Sequence, residues 1–189
     1  MKKIDLSKKS ISVVIPSYKP GKDILTCLES VRNQKTALAY DITVVDSSPE
    51  SPAEMIQSVF PEVNVIHLKQ RTYPGKARST GAAEAGGDIV CFTDVDCVVD
   101  ENWLEELLSG QREGYKVVGG SVVNGTPRSL FGTAEYITEF RELNPGVKPQ
   151  TVSALASCNL SVDREVFDTV GYFPDFMKAE DTMFCEYVR

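Results

Sequence analysis

Short apolar runs alternate with helical patterns through the first hundred residues. Val and Ile dominate four runs that are too short for helices, at residues 11–15, 42–45, 63–68 and 89–92. After the first run, apolar residues recur at helical spacing over residues 24–31, behind Asp23, which we expect to be the N-cap. Residues 52–59 and 76–85 have the character of further helices. The alternation predicts an α/β fold in which helices flank a mostly parallel sheet.

The second half of the chain has a less regular pattern. We predict a helix after Asn102, strand-like segments at residues 117–123 and 152–162, and helices at residues 130–140 and 163–170. A last helix is expected to follow Glu180 and Asp181 and to reach Arg189 without a C-cap. We therefore expect the chain to be a truncated piece of a longer protein.

Polar residues follow three of the predicted strands. Ser17 comes after the first strand, Asp46 closes the second, and Asp94 and Asp96 follow the fourth. Because ligands of open α/β sheets bind beyond the carboxyl ends of parallel strands, these side chains are expected to face one cleft. Carboxylates spaced as Asp-x-Asp suit Mg²⁺ or Mn²⁺, ions that share substrate phosphates, better than zinc.

Composition limits the classes of protein that fit this pattern. A length of 189 residues suffices for one α/β domain or two fused lobes, and a formal charge of −7 argues against a nucleic-acid binder. Five cysteines without C-x-x-C spacing favour a reducing, cytoplasmic location. Residues 1–10 lack the apolar core of a secretory signal, and no run is long enough to cross a bilayer.

Glu180 and Asp181 form a second acidic pair, at the predicted N-terminus of the last helix. The helix dipole keeps an acid ionised at that position. Such a carboxylate could accept a proton from a bound hydroxyl.

Six segments in a fixed order resemble a known family, the inverting nucleotide-sugar glycosyltransferases of family 2, which have the GT-A fold. The first three segments are VVIPSY at residues 13–18, CLESVRNQ at 27–34 and VVDSS at 44–48. The others are GKARSTG at residues 75–81, FTDVD at 92–96 and the Glu180-Asp181 pair. The resemblance implies a Rossmann-like GT-A sheet with a smaller acceptor-side subdomain. It divides the chain into a nucleotide-sugar-binding half, residues 1–97, and an acceptor-binding half, residues 98–189.

The resemblance also implies roles for individual residues. On the donor side it assigns nucleoside contacts to Pro16, Ser17, Tyr18 and Asp46, with the uracil ring donating to Asp46. Arg71 and Arg78 would lie near the base or the diphosphate. Asp94 would meet the ribose or the metal-bound diphosphate, and Asp96 would hold Mn²⁺ or Mg²⁺. On the acceptor side, Asp181 would be the catalytic base and Glu180 would support the acceptor pocket.

The reaction implied is transfer of a sugar from a nucleotide diphosphate, with a UDP-sugar favoured, to a hydroxyl acceptor with inversion. A saccharide or lipid-linked acceptor would place the chain in cell-wall or polysaccharide biosynthesis. It would act in the cytoplasm or at the inner face of the membrane, with membrane association only through segments absent from this chain. Two positions depart from the family pattern, since Cys97 replaces a frequent acid and Ser79 a frequent Asn.

Other interpretations of these residues remain open. A sugar-phosphate nucleotidyltransferase is one alternative, although Pro16-Ser17-Tyr18 follows the first strand where a Gly-rich loop would be expected. A non-catalytic nucleotide-sugar-binding fragment is another. Taken singly, Asp46 is also compatible with a turn residue, the acidic pair with a helix cap and Arg78 with a solvated helix residue. His67 is expected to be structural and Cys97 a small buried filler.

Overall fold

A computed structural model describes residues 4–189, in which six strands form one sheet of order β3-β2-β1-β4-β6-β5. The strands are β1 (Ile11–Ser17), β2 (Tyr40–Asp46), β3 (Asn64–His67), β4 (Ile89–Thr93), β5 (Val117–Gly119) and β6 (Asn159–Asp163). β1 pairs in parallel with β2 and β4, and β2 pairs in parallel with β3. Only β6 runs antiparallel, to β4 and to β5. The predicted mostly parallel α/β sheet is confirmed.

Seven α-helices connect or cover these strands within residues 4–189. They are α1 (Asp23–Arg32), α2 (Ala53–Val59), α3 (Pro74–Glu84), α4 (Trp103–Arg112), α5 (Leu130–Phe140), α6 (Arg164–Val170) and α7 (Glu180–Val188). A single 3-10 turn, Arg141–Leu143, follows α5. Each of the first three connections between parallel strands contains a helix, as the alternating pattern predicts.

Both faces of the sheet are buried, and the side-chain alternation of β1 shows how. Val13 and Ile15 point into a core built with α1 and α4, whereas Val14 points into a second core built with α3, α6 and α7. Because side chains of a strand alternate between the two faces, an unbroken apolar run such as β1 requires helices on both sides. Burial of every residue of β1 fits this requirement.

Three boundaries differ from the sequence-based expectations. Asp23 is the first residue of α1 rather than its N-cap, a position that Lys22 holds without a side-chain hydrogen bond. The strand expected at residues 117–123 ends at Gly119, because β5 lies at the sheet edge and pairs only with β6. The strand expected at 152–162 begins only at Asn159, where pairing with Thr93 of β4 starts.

Helix α5, which lies between β5 and β6, is exposed to solvent. No residue of α5 is buried, and Leu130 and Phe131 are 89% and 90% exposed. The Tyr136 hydroxyl anchors the helix by donating to the Val122 carbonyl oxygen at 2.9 Å.

Nowhere between residues 4 and 189 does a helix have both the length and the apolarity needed to span a membrane.

Gly81 provides a test of the packing between α3 and the sheet. A Cβ added there would lie 2.3 Å from Cγ1 of Val14 and 3.0 Å from Cγ2 of Val45. Gly81→Ala gains about 1 kcal/mol in helix propensity, but overpacking a rigid core costs about 1–3 kcal/mol or more. We expect the cost of overpacking to exceed the gain in helix propensity. Gly81→Ala should therefore lower the free energy of unfolding, measured by urea titration, by about 1–2 kcal/mol.

Gly86→Ala is the matched control, since a Cβ at Gly86 meets nothing within 4 Å. That variant should unfold at the wild-type urea concentration or slightly above it. A Gly81→Ala protein as stable as Gly86→Ala would contradict the tight helix-to-sheet contact.

Candidate active site

The carboxyl ends of the first three strands meet in one hydrogen-bond cluster around Asp46. Asp46 is fully buried and lies opposite Ser17 of β1 and His67 of β3 in the sheet register. Its Oδ1 accepts from the hydroxyls of Ser17 at 2.9 Å and Ser48 at 2.7 Å. Its Oδ2 accepts from the Ser48 N–H at 2.9 Å and contacts His67 Nδ1 at 3.0 Å. The carboxylate therefore fixes the ends of three strands at one edge.

Tyr18 and Arg71 lie just outside this cluster and face one another. The Arg71 guanidinium lies over the Tyr18 ring, 4.5 Å from its centroid. Lys19, which has a positive φ of 49°, donates its backbone N–H to the Ser48 hydroxyl at 2.6 Å. An aromatic face and a cation at the end of β1 can together stack a planar group and neutralise an anion.

Arg78 is the charged group that connects the two halves of the chain. It lies on α3, is 2% exposed, and forms one ion pair with Asp94 beyond β4 and another with Glu180 at the start of α7. Nη1 of Arg78 donates to Oε1 of Glu180 at 2.6 Å. One buried guanidinium thus joins Asp94 at the sheet edge to Glu180, which lies 102 positions after Arg78 in the sequence.

The electrostatics of this triad favour a permanently charged arginine. Burial tends to lower the pKa of the Arg78 guanidinium, but the carboxylates of Asp94 and Glu180 outweigh burial and raise the pKa above its ordinary value. Nε of Arg78 is buried and has no hydrogen-bond partner. The solvated-residue interpretation of Arg78 is wrong, because two acids enclose it.

Close packing between α3 and α7 holds the triad in place. A Cβ on Gly75 would lie 2.5 Å from the Pro174 carbonyl oxygen and 3.0 Å from Cβ of Glu180, so only glycine permits this approach. The Ser79 hydroxyl lies 2.8 Å from the Gly75 carbonyl oxygen and 3.0 Å from that of Phe173. Ser79 therefore ties α3 to the segment leading into α7.

Asp181 occupies the first turn of α7 and is held from two sides. Its Oδ2 accepts from the Ser157 backbone N–H at 3.2 Å, and its Oδ1 accepts from the Thr182 N–H at 2.7 Å. These two backbone donors fix the orientation of the Asp181 carboxylate. The side chain is partly exposed, so it can reach a bound molecule.

Asp96 has no Lys, Arg or His partner among residues 4–189, whereas Asp94 and Glu180 both pair with Arg78. Burial first, and the charge of Asp94 second, raise the pKa of Asp96. Within the same residues, no group of three or more His, Cys, Asp or Glu side chains is placed to hold a metal ion. An unpaired carboxylate beside a second acid suits a hard divalent cation whose remaining ligands come from water and phosphate.

Two cysteines, Cys27 and Cys97, contact the backbone of Asp94. The Asp94 carbonyl oxygen accepts from the Cys97 N–H at 3.0 Å and from the Cys27 thiol at 3.3 Å. Cys158 precedes β6 and interacts with the Cys97 thiol, a hydrogen bond that lowers the pKa of Cys97. Burial raises the pKa of Cys27 to about 12, so that this thiol stays protonated.

The structure brings the predicted residues together in separate clusters, whose contacts the sequence does not reveal. Ser17 and Asp46 are in direct contact, as are Arg78, Asp94 and Glu180. Sequence reasoning missed Ser157, which holds Asp181 from an irregular segment where no pattern marks it. It also missed Ser48, although its place two residues after Asp46 is typical of an Asx turn.

Comparison with known proteins places this geometry in a family. A relative in Haloferax volcanii, "Glycosyltransferase AglE", is 30% identical over 176 residues, which cover 88% of this chain and 57% of that protein. The chain thus spans little more than half of this relative's length.

Solved structures share the fold. Staphylococcus aureus TarS in complex with UDP-GlcNAc superposes with a TM-score of 0.70 at 22% identity, covering 95% of this chain and 53% of that one. The mannosyltransferase PcManGT of Pyrobaculum calidifontis, in complex with GDP-Man and Mn²⁺, gives a TM-score of 0.70 at 20% identity, covering 95% and 52%. The sequence model of "Glycosyl transferase family 2" matches residues 12–171. Since that match covers most of the chain, the protein belongs to glycosyl transferase family 2.

Proposed function

We propose that this chain binds a nucleotide-diphosphate sugar, with a UDP-sugar favoured, and transfers the sugar to a hydroxyl acceptor with inversion. The observation that carries the proposal is the Arg78 triad. It links Asp94 at the carboxyl edge of the sheet to Glu180, which adjoins Asp181. A donor at the sheet edge and a base at the start of α7 would then face one cleft, an arrangement that in-line displacement requires.

In the donor half of this cleft, some residues would contact the nucleoside and others the diphosphate. Tyr18 and Arg71 offer a stacking surface and a positive charge for the base and phosphates. The ends of β1 and β2, with Pro16, Ser17 and Asp46, supply a rigid floor whose polar groups are already hydrogen-bonded. The first role of Asp46 is then to fix the ends of the strands around it. Its carboxylate can bind the base only if it gives up one of its four hydrogen-bond contacts.

A divalent cation fits the free carboxylate of Asp96, with Asp94 beside it. When bound there, Mn²⁺ or Mg²⁺ would neutralise charge on the leaving diphosphate. A complex of PcManGT with GDP-Man and Mn²⁺ supports this assignment by fold likeness alone. Arg78 contributes a second positive charge, held beside Asp94.

On the acceptor side, Asp181 is the proposed general base. It would take the proton of the attacking hydroxyl as the bond from oxygen to the anomeric carbon forms and the bond to the diphosphate breaks. The proton ends on the Asp181 carboxylate and the electron pair leaves with the diphosphate. Because a single displacement occurs, the anomeric configuration inverts without a covalent enzyme intermediate. Ser157 and Thr182 orient the carboxylate, and Glu180 stays paired with Arg78.

A panel of nucleotides in a thermal-shift assay tests the donor assignment. A ligand at 100 times its Kd stabilises a protein by about 2.7 kcal/mol, which corresponds to roughly 5–10 °C for a chain of this size. We expect UDP with Mn²⁺ to give the largest shift, and UMP, which lacks the second phosphate, to give much less. GDP tests the preference for uracil.

Removal of the metal with EDTA is the internal control of the panel. The proposal requires the UDP shift to disappear in EDTA and to return with Mn²⁺ or Mg²⁺. Equal shifts with and without metal, or no shift with any nucleotide diphosphate, would refute the proposed donor site.

A further inference from the structure

His67 is the accessible member of the hydrogen-bond cluster around Asp46. It is the last residue of β3 and lies opposite Asp46 in the parallel register. The Asp46 side chain is fully buried, and Ser17 and Ser48 are almost fully buried, whereas 30% of the His67 side chain is exposed. A ligand at this edge of the sheet can therefore contact the cluster through His67 without breaking the hydrogen bonds inside it.

The contacts of Asp46 determine which nitrogen of His67 carries the proton. Oδ2 of Asp46 accepts from the Ser48 N–H, and Oδ1 accepts from two hydroxyls, so the side chain acts as a carboxylate that only accepts. Nδ1 of His67, 3.0 Å from Oδ2, must then be the donor of the hydrogen bond between them. In a neutral imidazole the other nitrogen, Nε2, is an acceptor. Nε2 forms no hydrogen bond with any residue between 4 and 189, so its lone pair is left for a ligand.

The stacking pair of Tyr18 and Arg71 lies at the same edge of the sheet as this acceptor. Tyr18 directly follows Ser17, whose hydroxyl donates to Asp46, and Arg71 follows His67 by four positions. The Arg71 guanidinium lies over the Tyr18 ring, 4.5 Å from its centroid. A planar base that stacks on this pair would therefore have the His67 imidazole near its edge.

We propose that His67 selects the nucleobase of the donor, because its Nε2 accepts a hydrogen bond from the N3–H of uracil. The inference rests on the proposed donor site and adds the atom that recognises the base. Cytosine has a lone pair at N3, which would face the lone pair of Nε2 with no proton between them. Asp46 is then a positioning residue, since its carboxylate keeps the proton of His67 on Nδ1 and gives up none of its four contacts.

Titration calorimetry of UDP and of CDP, each with Mn²⁺, tests this selection. Wild type should bind UDP about 5-fold to 100-fold more tightly than CDP, the usual cost of leaving a polar group without a partner. His67→Phe keeps a ring but has no acceptor, so it should weaken UDP binding until the two affinities agree within about twofold. Asn64→Ala, at the exposed opposite end of β3, is the matched control and should keep the wild-type ratio.

The ratio of the two affinities separates selection of the base from a structural role. If His67 only supported the fold, His67→Phe would weaken UDP and CDP by the same factor, and this unchanged ratio would overturn the proposal. Wild type without a preference for UDP over CDP would overturn it as well. Wild type that binds neither nucleotide would refute the donor site itself, and the selection of its base with it.

His67 is the only histidine of the chain, so nitrogen-15 NMR of the imidazole observes this residue alone. The free protein should show a protonated Nδ1 and an unprotonated Nε2, a result that does not depend on the donor site. UDP should then shift the Nε2 resonance towards that of a hydrogen-bonded nitrogen, whereas CDP should not. A protonated Nε2 in the free protein, or UDP binding that leaves the Nε2 resonance in place, would overturn the proposal.

Discussion

Replacing Asp181 with Asn is expected to slow the release of UDP from the UDP-sugar donor by about 10²-fold to 10⁴-fold, the usual contribution of a general base. Water serves as the acceptor in this hydrolysis assay, and it too must lose a proton to a base. The affinity for UDP should stay as in wild type, because Asp181 lies on α7 and not on the donor edge. Steady-state rates and UDP titration measure the two effects separately.

Asn keeps the shape of Asp181 and one acceptor for Ser157, so the fold is expected to survive. Asp175→Asn is the matched control, since Asp175 is an exposed acid that precedes α7. That variant should hydrolyse the donor at the wild-type rate. If Asp181→Asn loses less than about tenfold, the carboxylate is not the base.

Replacing Arg78 with Met is expected to lower the free energy of unfolding by about 3–5 kcal/mol, because it leaves the Asp94 and Glu180 carboxylates close together without a cation. Met approximates the length and volume of the arginine stem, so the loss reports charge rather than a cavity. Urea titration followed by circular dichroism measures it. The effect is large against the 5–15 kcal/mol total stability typical of a domain.

Two further variants separate the Arg78 triad from ordinary ion pairs. Arg112→Met removes a partner from the more exposed pair with Glu105 and should cost less than about 1 kcal/mol. Adding Glu180→Gln to Arg78→Met removes one of the uncompensated charges and should restore part of the stability. An Arg78→Met protein within about 1 kcal/mol of wild type would show that the triad does not hold α3 to α7.

The first half of the fold follows from the sequence because its signals are local. Strands β1 and β4 are short apolar runs that are buried along their whole length, and the apolar residues of α1 recur at helical spacing. Parallel pairing then places the residues after Ser17, Asp46 and Thr93 at one edge without any further information. For that reason the acids of the donor side were predictable by position.

The second half resists such reasoning because its structure depends on distant partners. The strand was expected to reach Val123, yet β6 pairs with β5 only over Val117–Gly119. A Cβ on Gly120 would lie 2.5 Å from the Asn159 side chain, which instead donates to the Ser121 carbonyl oxygen. The alternation of side chains along a strand cannot show where its pairing with the neighbouring strand ends.

The roles within the site show the same limit. A resemblance to the family marks Arg78 as a donor-side residue, but its two ion pairs, one spanning 102 positions, depend on how α3 packs against α7. Likewise, the four contacts that enclose Asp46 arise from three different strand ends. Motifs predict which residues form the site, and tertiary packing determines what each of them touches.

Titration calorimetry of UDP in the presence of Mn²⁺, on wild type and on Asp96→Ala, tests the central claim most directly. Asp168→Ala, which removes an exposed acid from α6, is the matched control. The proposed site predicts that wild type and Asp168→Ala bind UDP only when the metal is present, and that Asp96→Ala loses this metal-dependent binding. Metal-dependent binding of wild-type strength in Asp96→Ala would contradict it.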